Sequence, residues 1–319
     1  MNAILAKLGE IGIIPVIKIE NPGNAVPLVA ALIEGGLPCA EITFRTDAAA
    51  ASIKAIADAF PGFPVGAGTV INASLAQEAV DSGAQFIVSP GFNPAVVDWC
   101  ITRGIPVIPG VNNPSAIEAA LERNLETLKF FPAEASGGTA MLDALSGPFP
   151  RVSFIPTGGI DLANLSLYAR RANVHAIGGS WMVRSELIEK ADWQAVTNLA
   201  REAVVAIQGF SFAHLGINSP DAEAQGATSD FFSRLGLAPK EGTSSIFNGS
   251  IIEVMKNPFR GAMGHIGFSC WNVERSLAYL AGFGFRPVME TAKYERGRLS
   301  VVYLDREVGG FAIHLVRAK

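Results

Sequence analysis

Between Ile13 and about Ile207, short apolar runs alternate eight times with Ala-rich segments whose apolar residues recur at helical spacing. The runs are Ile13–Ile19, Cys39–Arg45, Pro64–Val70, Gln85–Pro90, Pro106–Val111, Thr127–Pro132, Ser153–Gly158 and His175–Gly179. They are nearly continuously apolar, as expected of strands buried on both faces. Start signals punctuate the intervening helices, such as Asn72 before the Ala73 segment and Asp161 before Leu162. Eight regular strand–helix units in about 200 residues predict a closed α/β architecture, the (β/α)8 TIM barrel. An open doubly wound sheet is the competing arrangement, and the short loops favour closure.

The pattern changes after Gln208, with Gln208–Ser211 as the join. Ala213-His214-Leu215-Gly216-Ile217 matches Gly264-His265-Ile266-Gly267-Phe268, and each leads into a helical stretch and then a terminal strand, Ser250–Lys256 or Gly310–Arg317. This duplication predicts a second domain over 208–319, after a first over 1–207.

The net charge of −4 and the lack of a basic stripe argue against nucleic acid as a partner. Cys39, Cys100 and Cys270 show neither metal spacing nor a disulfide framework, which predicts a reducing, cytoplasmic setting. No signal-peptide order and no membrane-length apolar stretch is visible.

Lys129 lies within the apolar run Thr127-Leu128-Lys129-Phe130-Phe131-Pro132. Burial makes an ammonium expensive and favours the neutral, nucleophilic amine that a Schiff-base enzyme uses. Strand alternation puts Glu41, Thr43 and Arg45 on one face of their run and Thr127, Lys129 and Phe131 on one face of theirs. Both polar sets then face the barrel axis. Arg45 and Thr69 fall at carboxyl ends of strands, where barrels build active sites. Gly158-Gly159 and Gly178-Gly179 follow the last two strands, where backbone N–H groups can receive a phosphate. Taken singly these residues have plainer readings: an edge lysine that snorkels, and a Glu41–Arg45 ion pair at a barrel mouth.

Taken together, Glu41-Ile42-Thr43-Phe44-Arg45-Thr46, Gly66-Ala67-Gly68-Thr69-Val70, Ser89-Pro90-Gly91, Lys129-Phe130-Phe131-Pro132-Ala133-Glu134, Pro156-Thr157-Gly158-Gly159 and Gly178-Gly179-Ser180-Trp181 resemble the 2-keto-3-deoxy-6-phosphogluconate (KDPG) and 4-hydroxy-2-oxoglutarate (KHG) aldolase family. The resemblance covers residues 1 to about 207. It implies a class I aldolase that yields pyruvate and an aldehyde without a cofactor. Lys129 forms the Schiff base and Glu41 is the general acid/base acting through a water. Arg45 and Thr69 hold the pyruvyl carboxylate, and Pro90 and Phe131 shape the pocket. Gly158, Gly159, Gly179 and Ser180 receive the phosphate, and the assembly is a homotrimer. A different class remains open at this point, a non-catalytic sugar-phosphate-binding protein whose C-terminal part serves assembly or output.

The C-terminal repeat resembles the vicinal oxygen chelate group, the glyoxalase and extradiol dioxygenase superfamily, built of paired β-α-β-β-β modules. Its ligand positions fall at His214, Glu253, His265 and His314, implying a divalent metal. His314 departs from the Glu usual there. The short spacing between His214 and Glu253 suggests a trimmed strand. The alternative is a packing module with leftover core histidines. His175, the remaining histidine, reads as structural.

Overall fold

The computed structural model describes residues 2–318, and the chain divides into two compact units between Ile207 and Gln208. In the first unit the strands are β1 Ile13–Ile17, β2 Ala40–Thr43, β3 Val65–Gly68, β4 Phe86–Val88, β5 Val107–Ile108, β6 Gly110–Val111, β7 Thr127–Phe130, β8 Ser153–Pro156 and β9 Ile177–Gly179. Every residue of β1 to β4 is buried, the burial on both faces that continuous apolar runs encode. One parallel sheet runs β5-β4-β3-β2-β1-β9 and another runs β6-β7-β8. Two parallel bridges, Phe154↔Val174 and Thr157↔Gly178, link the β8 and β9 segments. The fifth expected strand appears as β5 and β6, because Pro109 between them has no N–H for the ladder. Its carbonyl still accepts from the Lys129 N–H at 3.0 Å, so pairing passes through the break to β7.

Asn72, Asn93 and Asn113 cap the following helices by accepting from the N–H groups of Leu75, Ala95 and Ala116. The start expected at Asp161 is corrected: the helix is Leu165–Ala169. Asp161 instead accepts from the Ala163 N–H in a local turn, and Asn164 accepts from the Asp161 N–H.

The second unit contains β10 Ser211–Ile217, helix Ala222–Arg234, β11 Pro239–Glu241, β12 Ser245–Asn248 and β13 Ile252–Met255. The same succession then recurs as β14 Gly264–Cys270, helix Val273–Ala281, β15 Pro287–Glu295, β16 Arg298–Val308 and β17 Phe311–Arg317. The sheet order β11-β12-β13-β10-β14-β17-β16-β15 makes the two halves mirror each other across the antiparallel β10–β14 pair. No strand of the first half is missing. The short spacing is absorbed by shortening β11, β12 and β13 to 3, 4 and 4 residues, against 9, 11 and 7 in the second half. Val302 and Leu315 pack into a core with Val273 and Leu277 of the helix, so the next residues along, Tyr303 and His314, turn to the opposite face. Among the described residues no helix is long and apolar enough to cross a membrane.

Candidate active site

Parallel register sets Glu41 beside Val16 and Gly66, and Lys129 beside Gly110 and Ile155. From these positions the two side chains meet inside the strands: Lys129 Nζ donates to Glu41 Oε1 at 3.2 Å. Lys129 is 4% exposed and Glu41 3%, so the lysine does not snorkel, and the carboxylate is paired with it rather than with Arg45. A Cβ on Gly68 would come within 2.1 Å of Glu41 Oε1, so the missing side chain is what lets the carboxylate lean across β3. Lys129 Nζ also lies 5.2 Å from the Phe131 ring centroid.

Thr43 and Phe131, two residues on along the same faces, line a cavity of about 510 Å³. Arg45, Gly158, Gly159, Gly179 and Ser180 line it as well. Arg45 gets there by a different route from that expected. The strand ends at Thr43, and a turn closed by the Arg45 N–H on the Thr43 carbonyl presents the guanidinium. Arg45 Nε then donates to Thr69 Oγ1 at 3.2 Å. Thr69 has φ 60°, an unusual conformation for a β-branched residue and one that concentrates at functional sites. Pro90 is not among the residues that line the cavity; its carbonyl lies against Gly110, where a Cβ would come within 2.2 Å.

Gly158 and Gly159 have φ of 101° and 79°, which L side chains adopt only under strain. Three side chains that the sequence did not single out fix this turn. Asn164 Nδ2 donates to the Gly159 carbonyl at 2.9 Å. The Glu134 side chain packs where a Gly159 Cβ would stand, and its carboxylate accepts from the Tyr168 hydroxyl. Burial, reinforced by Glu134, pushes the Tyr168 phenol well above its ordinary range, so it stays a donor.

In the second unit, β13, β10, β14 and β17 are adjacent and carry Glu253, His214, His265 and His314. His214 Nε2 lies 3.2 Å from His265 Nε2 and 3.1 Å from His314 Nε2. Glu253 Oε2 lies 3.0 Å from His265 Nε2 and 3.3 Å from His214 Nε2, and Glu253 Oε1 accepts from Ser245 Oγ at 2.6 Å. The three imidazoles offer nitrogens within 4.8 Å of one another. Burial and the neighbouring imidazoles push His314 down to about 3, so its ring is neutral at pH 7 and has a lone pair to offer. Burial works against the Glu253 carboxylate, yet His214, His265 and Ser245 together hold it well below the usual range. Gly216 and Gly267 make room for the cluster. A Cβ on Gly216 would lie 2.0 Å from His265 Cε1, and one on Gly267 would lie 2.6 Å from His314 Nε2. His175 stands apart in the first unit, its Nε2 at 2.7 Å from the Leu5 carbonyl.

Residues 4–199 match the family described as KDPG and KHG aldolase. The 2-dehydro-3-deoxy-phosphogluconate aldolase of Treponema pallidum is 48% identical over 204 residues, covering 64% of this chain and 97% of that protein. The KHG/KDPG aldolase of Escherichia coli is 43% identical over 192 residues, covering 60% of this chain and 90% of its own. Among solved structures, the KDPG aldolase of Legionella pneumophila, with pyruvate captured at low pH as a covalent carbinolamine intermediate, superposes with a TM-score of 0.60 at 39% identity. That superposition covers 63% of this chain and 96% of the other.

Proposed function

The chain belongs to the KDPG and KHG aldolase family, and from that premise we propose how its own residues carry out class I aldol cleavage. The protein is an aldehyde-lyase of the Schiff-base type, and its first unit is read as a TIM-barrel-like (β/α)8 domain. The observation that carries the assignment of roles is the buried contact between Lys129 Nζ and Glu41 Oε1 at 3.2 Å. Lys129 gives its proton to Glu41, and the free amine attacks the C2 ketone of a 2-keto-3-deoxy-6-phosphogluconate-type or 4-hydroxy-2-oxoglutarate substrate. Glu41 returns that proton to the carbinolamine hydroxyl, which leaves as water, so that a protonated imine forms and Glu41 is again a carboxylate. Glu41, directly or through a water, removes the C4 hydroxyl proton. The C3–C4 bond then breaks, its electron pair passes to the imine nitrogen, and an aldehyde leaves. The resulting enamine takes a proton at C3, and hydrolysis returns pyruvate and the Lys129 amine.

Arg45 holds the substrate carboxylate through its guanidinium fork, oriented by Thr69. Phe131 forms a wall of the pocket, which Pro90 helps to shape, and Gly158, Gly159, Gly179 and Ser180 receive the phosphate. The experiment is reduction with borohydride in the presence of pyruvate, read by peptide mass spectrometry. An adduct on Lys129 is the expected result, and an adduct elsewhere, or none, refutes the assignment. A homotrimer belongs to the same reading and rests on family membership; sedimentation equilibrium tests it.

For the second unit we propose a vicinal-oxygen-chelate-like domain that holds one divalent metal with His214, His265 and His314, and with Glu253 from β13. Nitrogen and oxygen donors about 2.1 Å from a shared ion stand roughly 3 Å apart, close to the spacings among these atoms. The glycine cradle and the neutral His314 ring fit the same reading. The donor set suits Zn, Ni, Mn, Fe or Co, and a bound ion would supply a Lewis acid there.

A further inference from the structure

The cavity that opens beyond Thr43 and Phe131 draws cations from separate parts of the chain. Arg45 comes from the turn after β2, Lys18 follows β1, and Arg184 follows β9. Lys18 is already engaged, its Nζ 2.7 Å from Glu20 Oε1. The Arg184 guanidinium makes no hydrogen bond or ion pair with any described side chain, although Glu186, two residues on, also lines the cavity. Arg184 is therefore a charged fork whose binding capacity is uncommitted, lining the same cavity as Gly158, Gly159, Gly179 and Ser180.

A 2-keto acid with a terminal phosphate has two anionic ends. The carboxylate has Arg45. At the other end the glycine turns offer backbone N–H groups, which carry no net charge, and Ser180 offers one hydroxyl. A phosphate brought out of bulk water gains most from a planar, permanently charged donor set that meets two of its oxygens. Glu186 in the same lining raises the need for such a counter-charge, because an unbalanced carboxylate would repel the phosphate.

We infer that Arg184 is the specificity-determining residue of the aldolase site, selecting substrates that end in a phosphate over those that end in a hydroxyl or a short carboxylate. This rests on the reading of Lys129, two residues before Phe131 of the cavity lining, as the imine-forming amine. Arg184 has no part in the bond-breaking step, so its loss acts on binding.

The test compares wild type, Arg184→Ala and Arg184→Lys with three substrates: 2-keto-3-deoxy-6-phosphogluconate, its unphosphorylated counterpart, and 4-hydroxy-2-oxoglutarate. The exposed setting limits the contact to roughly a tenfold effect, so Arg184→Ala raises KM for the phosphorylated substrate about tenfold with little change in kcat. The preference for the phosphorylated over the unphosphorylated substrate shrinks by the same factor. Arg184→Lys recovers part of the loss, and added salt narrows the gap between wild type and Arg184→Ala. An equal change on all three substrates, or a fall in kcat alone, overturns the inference. Borohydride trapping of pyruvate on wild-type protein is scored separately. Failure of that trapping refutes the imine reading itself, whereas a normal adduct with unaltered substrate preference in Arg184→Ala refutes only the role given to Arg184.

Discussion

Lys129 Nζ and Glu41 Oε1 stand 3.2 Å apart across the inside of the first unit, although 88 residues separate them in the chain. Parallel pairing brings them together, since β2 and β7 each send alternate side chains to the inner face. The contact makes a specific demand on Glu41, which must take protons and return them at C3. Glu41→Gln keeps the shape and loses the base, so kcat is expected to fall ~10²–10⁴-fold. Exchange of the pyruvate methyl protons with deuterated water, followed by NMR, isolates the C3 step. Wild-type exchange rates in Glu41→Gln would show that another group carries the proton.

The same contact predicts a stability pattern. Removing one member of a buried pair leaves the other charge uncompensated, so Lys129→Ala is expected to cost about 3–5 kcal/mol. Replacing both together, Lys129→Met with Glu41→Leu, removes the orphan charge and should recover most of the loss. Urea denaturation of the singles and the double measures the coupling. Strict additivity would mean that the two charges do not sense each other.

A residue that touches no substrate is predicted to matter as much as one that does. Gly68→Ala would place a methyl group 2.1 Å from Glu41 Oε1, against a buried strand that has little room to shift. The carboxylate has to swing away from Lys129. Turnover should fall more than tenfold, with a stability cost of about 1–3 kcal/mol, because overpacking strains the neighbours. Steady-state rates beside a thermal melt separate the two effects. Normal turnover in a folded Gly68→Ala protein would mean that the carboxylate does not need this place.

The elements of the first unit were legible because strands buried on both faces must be continuously apolar, a pattern that survives without any knowledge of partners. The inward faces of Lys129 and Glu41 followed from the two-residue period alone. Their direct contact did not follow, because it depends on the absence of a side chain at Gly68 on a third strand. The run Cys39–Arg45 reads as strand to its carboxyl end, but the backbone turns after Thr43 to close on itself. Thr69 gives no sign in the sequence of its φ of 60°, and Asn164 signals only a turn until the Gly159 carbonyl is seen beside it. In the second unit the repeated His-x-Gly was visible at His214 and His265. The purpose of the glycines was not, since each accommodates an imidazole from a neighbouring strand.

That cradle gives the last prediction. If the histidines gather to hold an ion, protein purified without chelator or affinity metal should contain roughly one divalent ion per chain by elemental analysis. His265→Ala removes a donor and should empty the site. Gly216→Ala is the more telling variant, because it leaves every donor in place and only puts a methyl group 2.0 Å from His265 Cε1. Occupancy should drop in Gly216→Ala as it does in His265→Ala, and the stabilisation that added metal gives in a thermal melt should shrink with it, since a ligand that binds only the folded state raises its stability. Near-zero metal in wild type, with melts indifferent to added Zn, Mn or Ni, would leave the three imidazoles and Glu253 as a hydrogen-bonded packing cluster.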